Sequence, residues 1–338
     1  MPPARMALEY RQLGRSGLEV TVLALGTMTF GNQADRATSF RILDSALDRG
    51  VRLIDTADVY PLGAGPTLVG RTEEIVGEWL ATHRGQVVIA TKCFGAMGAA
   101  PHEKGLSRKH ILDAVEASLM RLRTDYIDLY QAHQFDPLTP MEETLNTFES
   151  LVRSGKVRYI GVSNWRAWQV AKALGIAERL HLAPLVSVQP RYNLLFRMID
   201  EELLPLARAE RVGVIPYNPL AGGLLTGRYQ WGQLPEMGTR FGLSGAGELY
   251  RQRYWQEAAF LAVERYRNWC EERGRDMVTT AVNWVISQSG ITSAIVGASK
   301  SEQLEASLAA NEDRPLDSEE LKWLDGLWFG LPRRREAR

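Results

Sequence analysis

SRKHILDAVEASLMRLRTDYIDLYQAH, residues 107–133, carries the pattern that decides the fold. Ser107 is a suitable N-cap, and Ile111, Val115, Leu119 and Leu122 recur at helical spacing along one apolar face. Ile127 to Gln131 then reads as a short strand, and the next helical stretch opens at Met141. Outward from there the alternation persists in both directions. Candidate strands lie at Val22 to Leu25, Leu53 to Asp55, Val87 to Thr91, Tyr159 to Val162, Val186 to Gln189, Val212 to Tyr217 and Ala294 to Val296. Helical segments include Met141 to Arg153, Trp165 to Leu174 and Ser301 to Ala310. Strands that each lead into a helix, eight in all, predict an α/β fold of the (β/α)8 TIM barrel type. The alternative is an open doubly wound sheet in two domains.

The periphery departs from this rhythm. Tyr10 to Leu13 and Leu18 to Val20 flank Gly14-Arg15-Ser16-Gly17, which predicts an N-terminal β-hairpin over about residues 10–20. Tyr229 to Tyr254 is rich in glycine and reads as a long loop over the C-terminal face, and 332–338 as a charged, disordered tail. No linker composition interrupts the chain. The expected organisation is a single domain, 1–338, with the barrel over about 22–310.

Composition bounds the partners. Forty basic and forty acidic residues in 338 cancel, whereas nucleic acid or an anionic membrane would select a basic excess. The two cysteines, Cys93 and Cys270, are far apart and without metal-type spacing, so a disulfide framework is not expected and the cytoplasm is the expected location. No apolar run has the length of a signal peptide or a membrane span. The five histidines form no HxxxH or HExxH pattern, and GxGxxG, GxxxxGK[ST] and GxSxG are absent, so no metal site is expected.

Barrel chemistry gathers where strands end. Here those points carry Asp55 and Tyr60, Lys92, Gln131 and His133, Ser163 and Asn164, Gln189, and Tyr217. Each has a structural reading as well: a cap, a rim aromatic or a solvated charge. Their convergence on one apolar mouth is harder to explain by packing, because a buried Lys or Asp is costly unless paired. The group suits proton transfer to a carbonyl oxygen. A phenol such as Tyr60, with a pKa of roughly 10, becomes a better acid beside an ammonium, here Lys92. Asp55 would orient Lys92, and neutral His133 would donate a hydrogen bond to the substrate oxygen. The electron donor that fits is a nicotinamide, its carboxamide held by Ser163, Asn164 and Gln189 and its ring stacked on Tyr217.

Longer motifs extend this reading. LIDTADVY (53–60), LRTDYIDLY (122–130), GKVRYIGVSN (155–164) and YNPLAGGLLTG (217–227) occur in the order found in aldo-keto reductases, and the chain resembles that family from about Tyr10 to about Leu308. The resemblance implies an NADPH-dependent carbonyl reductase, with NADH as the alternative cofactor, and a tetrad of Asp55, Tyr60, Lys92 and His133. It implies that Gly26, Thr27, Met28 and Asp55 border the nicotinamide end of the cofactor. Leu220, Gly222 and Arg228 would lie near the pyrophosphate, and Arg240, Gly297, Ser299, Lys300 and Gln303 around the adenosine phosphate. Two departures stand out: Ala306 and Ser307 replace a Glu-Asn pair found in many relatives, and 61–71 is longer than the usual loop.

The expected substrate is a small carbonyl compound, of sugar type or otherwise hydroxylated, between Phe30, Tyr60, His133, Trp165, Asn193, Trp231 and the segment around Tyr254. The rival reading is an NADP(H)-binding redox sensor or regulatory subunit with little turnover.

Overall fold

A computed structural model describes residues 7–63 and 65–332. The expected charged tail, 332–338, lies outside the described residues except for Pro332. A two-stranded antiparallel hairpin, β1 (Tyr10–Gln12) and β2 (Glu19–Thr21), comes first. Then follow β3 (Leu23–Gly26), α1 (Arg36–Asp48), β4 (Leu53–Asp55), α2 (Arg71–His83), β5 (Val88–Cys93), α3 (Arg108–Leu122), β6 (Ile127–Ala132) and α4 (Met141–Arg153). The second half holds β7 (Val157–Ser163), α5 (Ala167–Arg179), β8 (Leu185–Gln189), α6 (Leu203–Ala209), β9 (Gly213–Val214), α7 (Ala246–Tyr254), α8 (Glu257–Glu272), α9 (Met277–Ser287), β10 (Ala294–Gly297), α10 (Ser301–Leu308) and α11 (Ser318–Phe329).

Strands β3 to β10 form one parallel sheet in the order β10-β3-β4-β5-β6-β7-β8-β9. The seam between β9 and β10 closes through the bridges Val214↔Ile291 and Tyr217↔Ile295, with Thr292 N–H and Ile295 N–H each donating at 2.8 Å to Val214 O and Pro216 O. The architecture is a (β/α)8 barrel. The expected strand Val212 to Tyr217 shrinks to two residues, because Pro216 has no N–H with which to continue a ladder.

Side-chain alternation divides the core in two. Outward-facing residues such as Ile54, Ile89 and Val162 pack beneath the helices. Inward-facing Ala24, Leu53, Ala90, Leu129, Ile215 and Ile295 fill the barrel together with Leu13 and Val20 of the hairpin. The hairpin turn lies against the N-terminal ends of β8 and β9: a Cβ on Gly14, whose φ is +60°, would stand 2.4 Å from Val186 O and 2.7 Å from Gly213 N. The hairpin therefore stops the bottom of the barrel, leaving the C-terminal end for chemistry.

That end differs from the expected single long loop. Residues 229–245 are irregular, but Ala246–Tyr254 forms α7, whose Tyr250 and Tyr254 are buried. The segment touches the loop after Tyr60, with Ser244 Oγ donating to Gly63 O at 3.1 Å.

Candidate active site

Period-two alternation places the reactive groups one step above the apolar filling: Leu53 is followed on the same face by Asp55, Ala90 by Lys92, and Leu129 by Gln131. Lys92 is fully buried, and its Nζ donates to Asp55 Oδ1 at 2.5 Å and to Thr56 O at 2.7 Å. The other carboxylate oxygen, Asp55 Oδ2, accepts from Gln189 Nε2 at 2.8 Å and from Gln131 Nε2 at 3.4 Å. Both oxygens of this buried carboxylate thus have donors, the condition under which a buried ion pair persists.

Tyr60 leaves the loop after β4 and is nearly covered. Lys92 Nζ stands 5.1 Å from its ring centroid, and the His133 ring meets it edge-on at 5.6 Å. Thr72 N–H, in the first turn of α2, donates to Tyr60 O at 3.3 Å. The next residue, Glu73, is fully buried and accepts from Thr91 Oγ at 2.5 Å and from Arg121 Nε at 2.8 Å. The start of α2 is thereby tied both to Tyr60 and to the strand that bears Lys92. Asp58, also fully buried, has neither carboxylate oxygen hydrogen-bonded to the described residues, and burial followed by the nearby Glu73 charge holds its carboxyl well above the usual range.

Ionisation follows from burial. Desolvation, then the charge of Asp55, raises the Tyr60 hydroxyl well above its ordinary value of 10, with Arg240 opposing. The acidification expected from Lys92 is not seen, because burial first and the Asp55 charge second hold the hydroxyl up. Desolvation also lowers Lys92, against the pull of Asp55. His133 is pushed down to about 3 by desolvation and then by the Lys92 charge. The ring is therefore neutral at neutral pH.

The residues expected to seat a nicotinamide lie around the same rim. Asn164, at φ +60°, donates through Nδ2 to His133 O and to Ser163 Oγ, both at 3.0 Å, while its Oδ1 accepts from Tyr217 OH at 2.8 Å. Ser163 Oγ donates to Gln189 O at 2.9 Å, and Thr27 Oγ donates to Asp55 O at 2.9 Å. Gly26 and Gly297 are register partners, and a Cβ on Gly297 would meet only Gly26 O, at 3.7 Å, so the backbone there is open to a ligand. Gly222, at φ +72°, donates its N–H to Asn218 Oδ1 at 2.5 Å. Lys300 is the N-cap of α10 with no side-chain cap bond, and Ser299 donates through N–H and Oγ to Gln303 Oε1 at 2.9 and 3.1 Å. Uncapped helix N–H groups beside a lysine and a hydroxyl suit an anion, and the amide-rich rim suits a carboxamide, so these residues fit a phosphorylated nicotinamide nucleotide.

Other expected residues sit elsewhere. Arg228 hydrogen-bonds Tyr229 OH, and Arg240 lies 3.6 Å from Met28 S and over the Tyr250 ring at 5.2 Å, so the two guanidinium groups have separate partners. Leu220 is half-buried against the outer core. Phe30 is fully buried in that core, and Asn193, equally buried, donates to Asn218 O and to Tyr254 OH, so neither presents surface to a substrate. Trp231 is half-exposed and tilts against Phe260 at 5.4 Å. Trp165 is buried in the same core, edge-on to Phe135 at 5.2 Å, and likewise presents little surface to a substrate. Thr56, Tyr250 and Glu73 went unmarked in the sequence. Thr56 acts through its backbone and Glu73 resembles an exposed first-turn acid, whereas Gln131 is recoverable from the inward period it shares with Leu129.

The sequence model described as "Aldo/keto reductase family" matches residues 22–328. The chain belongs to the aldo/keto reductase family. An "Uncharacterized oxidoreductase YrpG" from Bacillus subtilis (strain 168) is 40% identical over 330 residues, 96% of this chain and 97% of the relative. A "Probable voltage-gated potassium channel subunit beta" from Arabidopsis thaliana is 36% identical over 91% of this chain and 93% of its own length. An "L-glyceraldehyde 3-phosphate reductase" from Escherichia coli O157:H7 is 33% identical over 94% and 92%. As an aldo/keto reductase with relatives of this kind, the chain is an NAD(P)H-dependent oxidoreductase. Among the described residues no helix is long and apolar enough to cross a membrane, and no group of three or more potential ligands could hold a metal ion.

Proposed function

We propose that this aldo/keto reductase reduces an aldehyde or ketone with NADPH, the proton coming from Tyr60. The observation that carries the reading is the buried Asp55–Lys92 pair, 2.5 Å apart, facing the rings of Tyr60 and His133 at the open end of the barrel. When bound, the reduced nicotinamide supplies the hydride. Tyr60 holds its proton in the resting site and gives it up as the carbonyl oxygen becomes basic. Lys92, fixed by Asp55 and Thr56, then stabilises the phenolate that remains. His133, neutral, donates an N–H to the same oxygen and orients it. Asn164 and Gln189 hold the carboxamide, and Ser299 and Lys300 receive the 2′-phosphate that separates NADPH from NADH.

A small hydroxylated carbonyl compound is the substrate class we assign, with half-buried Phe135, two residues beyond His133, as its apolar neighbour. A relative named for reduction of L-glyceraldehyde 3-phosphate supports that class. We place the protein in the cytoplasm, in keeping with two buried free thiols. NADPH oxidation with a panel of aldehydes, ketones and keto sugars tests the activity. Turnover that disappears in Tyr60→Phe supports the reading; no turnover by the wild type, with NADPH still bound, favours the second reading. That reading, a sensor or regulatory subunit, draws on the relatives named as channel β subunits.

A further inference from the structure

Barrel layers are ordinarily filled by branched apolar side chains from alternate strands. Here β4, β6 and β8 contribute Asp55, Gln131 and Gln189, all buried, and the three form a closed triangle. Gln189 Nε2 donates to Asp55 Oδ2 at 2.8 Å and to Gln131 Oε1 at 3.4 Å, while Gln131 Nε2 donates to Asp55 Oδ2 at 3.4 Å. Gly161, the register partner of Gln131 on β7, lets Ser187 of β8 approach closely, since a Cβ there would stand 2.3 Å from Ser187 Oγ and just touch Gln131 Cγ at 3.4 Å.

Donor counting shows what the triangle does. A primary amide has two N–H groups. Gln189 Nε2 has an acceptor for each, the Asp55 carboxylate at 2.8 Å and the Gln131 oxygen at 3.4 Å. Its Oε1 has no hydrogen bond to the described residues and is the only part of the amide left for a ligand. The seat consequently offers an acceptor and no donor, which selects a ligand N–H over a ligand carbonyl.

We propose that Gln131 is a positioning residue that locks the Gln189 amide with its oxygen toward the ligand, so that recognition of the carboxamide NH2 and retention of the Asp55–Lys92 pair belong to one hydrogen-bonded layer. This rests on the cofactor reading above, since it assigns the carboxamide to Gln189. Gln131 acts through Gln189 and Asp55 and touches neither cofactor nor substrate.

The test is a binding ratio and needs no turnover. Protein fluorescence is titrated with NADPH and with its 3-acetylpyridine analogue, which replaces the carboxamide NH2 by a methyl group. Measurements are made on the wild type, on Gln131→Met, which keeps length without hydrogen bonds, and on Gln131→Leu, with folding checked by circular dichroism. The wild type is expected to prefer NADPH, and that preference should fall by about fivefold in whichever variants fold, the worth of roughly one hydrogen bond. A wild type without the preference, or a preference that survives in a folded variant, overturns the proposal, as does an equal loss of affinity for both nucleotides. Should neither variant fold, the 15N-resolved side-chain amide of Gln189 in the wild type decides: protons protected from exchange support the lock, and freely exchanging protons overturn it. A wild type that binds neither nucleotide sinks the cofactor reading itself, an outcome distinct from these.

Discussion

The floor and the mouth of the barrel are built from the same strands, two residues apart, and behave as opposites. Leu53, Ala90 and Leu129 fill the floor with apolar surface and have no hydrogen bonds to satisfy, whereas Asp55, Lys92 and Gln131 directly above them are buried only because each satisfies another. One pleat along a strand thus separates a layer that stabilises from a layer that costs stability and performs chemistry. Strong electrostatics at the mouth require low dielectric, and the floor and its hairpin stopper supply it by excluding water from below.

Substitutions can break that contrast. The largest effect is expected at the mouth: Lys92→Met should slow the chemical step by about a hundredfold or more while leaving NADPH affinity largely intact. Single-turnover kinetics paired with fluorescence titration checks this, and lost binding with a normal chemical step would contradict the role given to Lys92. At the floor the expectation reverses. Leu129→Ala should cost about 2–5 kcal/mol of stability by leaving a cavity, yet the folded fraction should turn over at the wild-type rate. Denaturant melts and activity per folded molecule test it, and a large loss of specific activity would mean that the two layers are not separable.

A third expectation concerns acid. His133 has its pKa lowered from 6.5 to about 3 in the folded chain, so the unfolded chain binds the additional proton between those values. The contribution to stability is present above pH 6.5 and is lost as pH falls toward 3. Thermal melts across that window should show a shallower decline in His133→Gln than in the wild type, and parallel declines would place the acid sensitivity elsewhere. The smallest effect belongs to the rim, outside both layers. Replacing Ser299 and Lys300 together by Ala should weaken NADPH by about tenfold and NADH far less; equal losses would move the phosphate away from α10.

Much of this contrast was legible in the sequence, for a physical reason. Period-two alternation and helical spacing are local, so the eight strand positions, the inward direction of Asp55 and Lys92 and the hairpin could be read without tertiary information. What escaped reading depends on long-range packing. The helix Ala246–Tyr254 begins and ends among glycine and charge and carries only a weak apolar face, so it holds through the burial of Tyr250 and Tyr254 rather than through propensity. Phe30 and Asn193 looked like candidate walls because aromatic and amide side chains suit a substrate, and only the folded chain shows them spent on the core and on Tyr254. The resting state of Tyr60 was equally hidden, since the balance of burial, Asp55 and Arg240 is a property of distances.

The hairpin at the barrel floor has a kinetic consequence. With Leu13 and Val20 packed among the inward-facing strand residues, the floor of the barrel is filled, and whatever reaches the groups at the mouth must come and go on that side. Two reactants sharing one entrance cannot be handled in arbitrary sequence: whichever lies deeper has to arrive first and depart last.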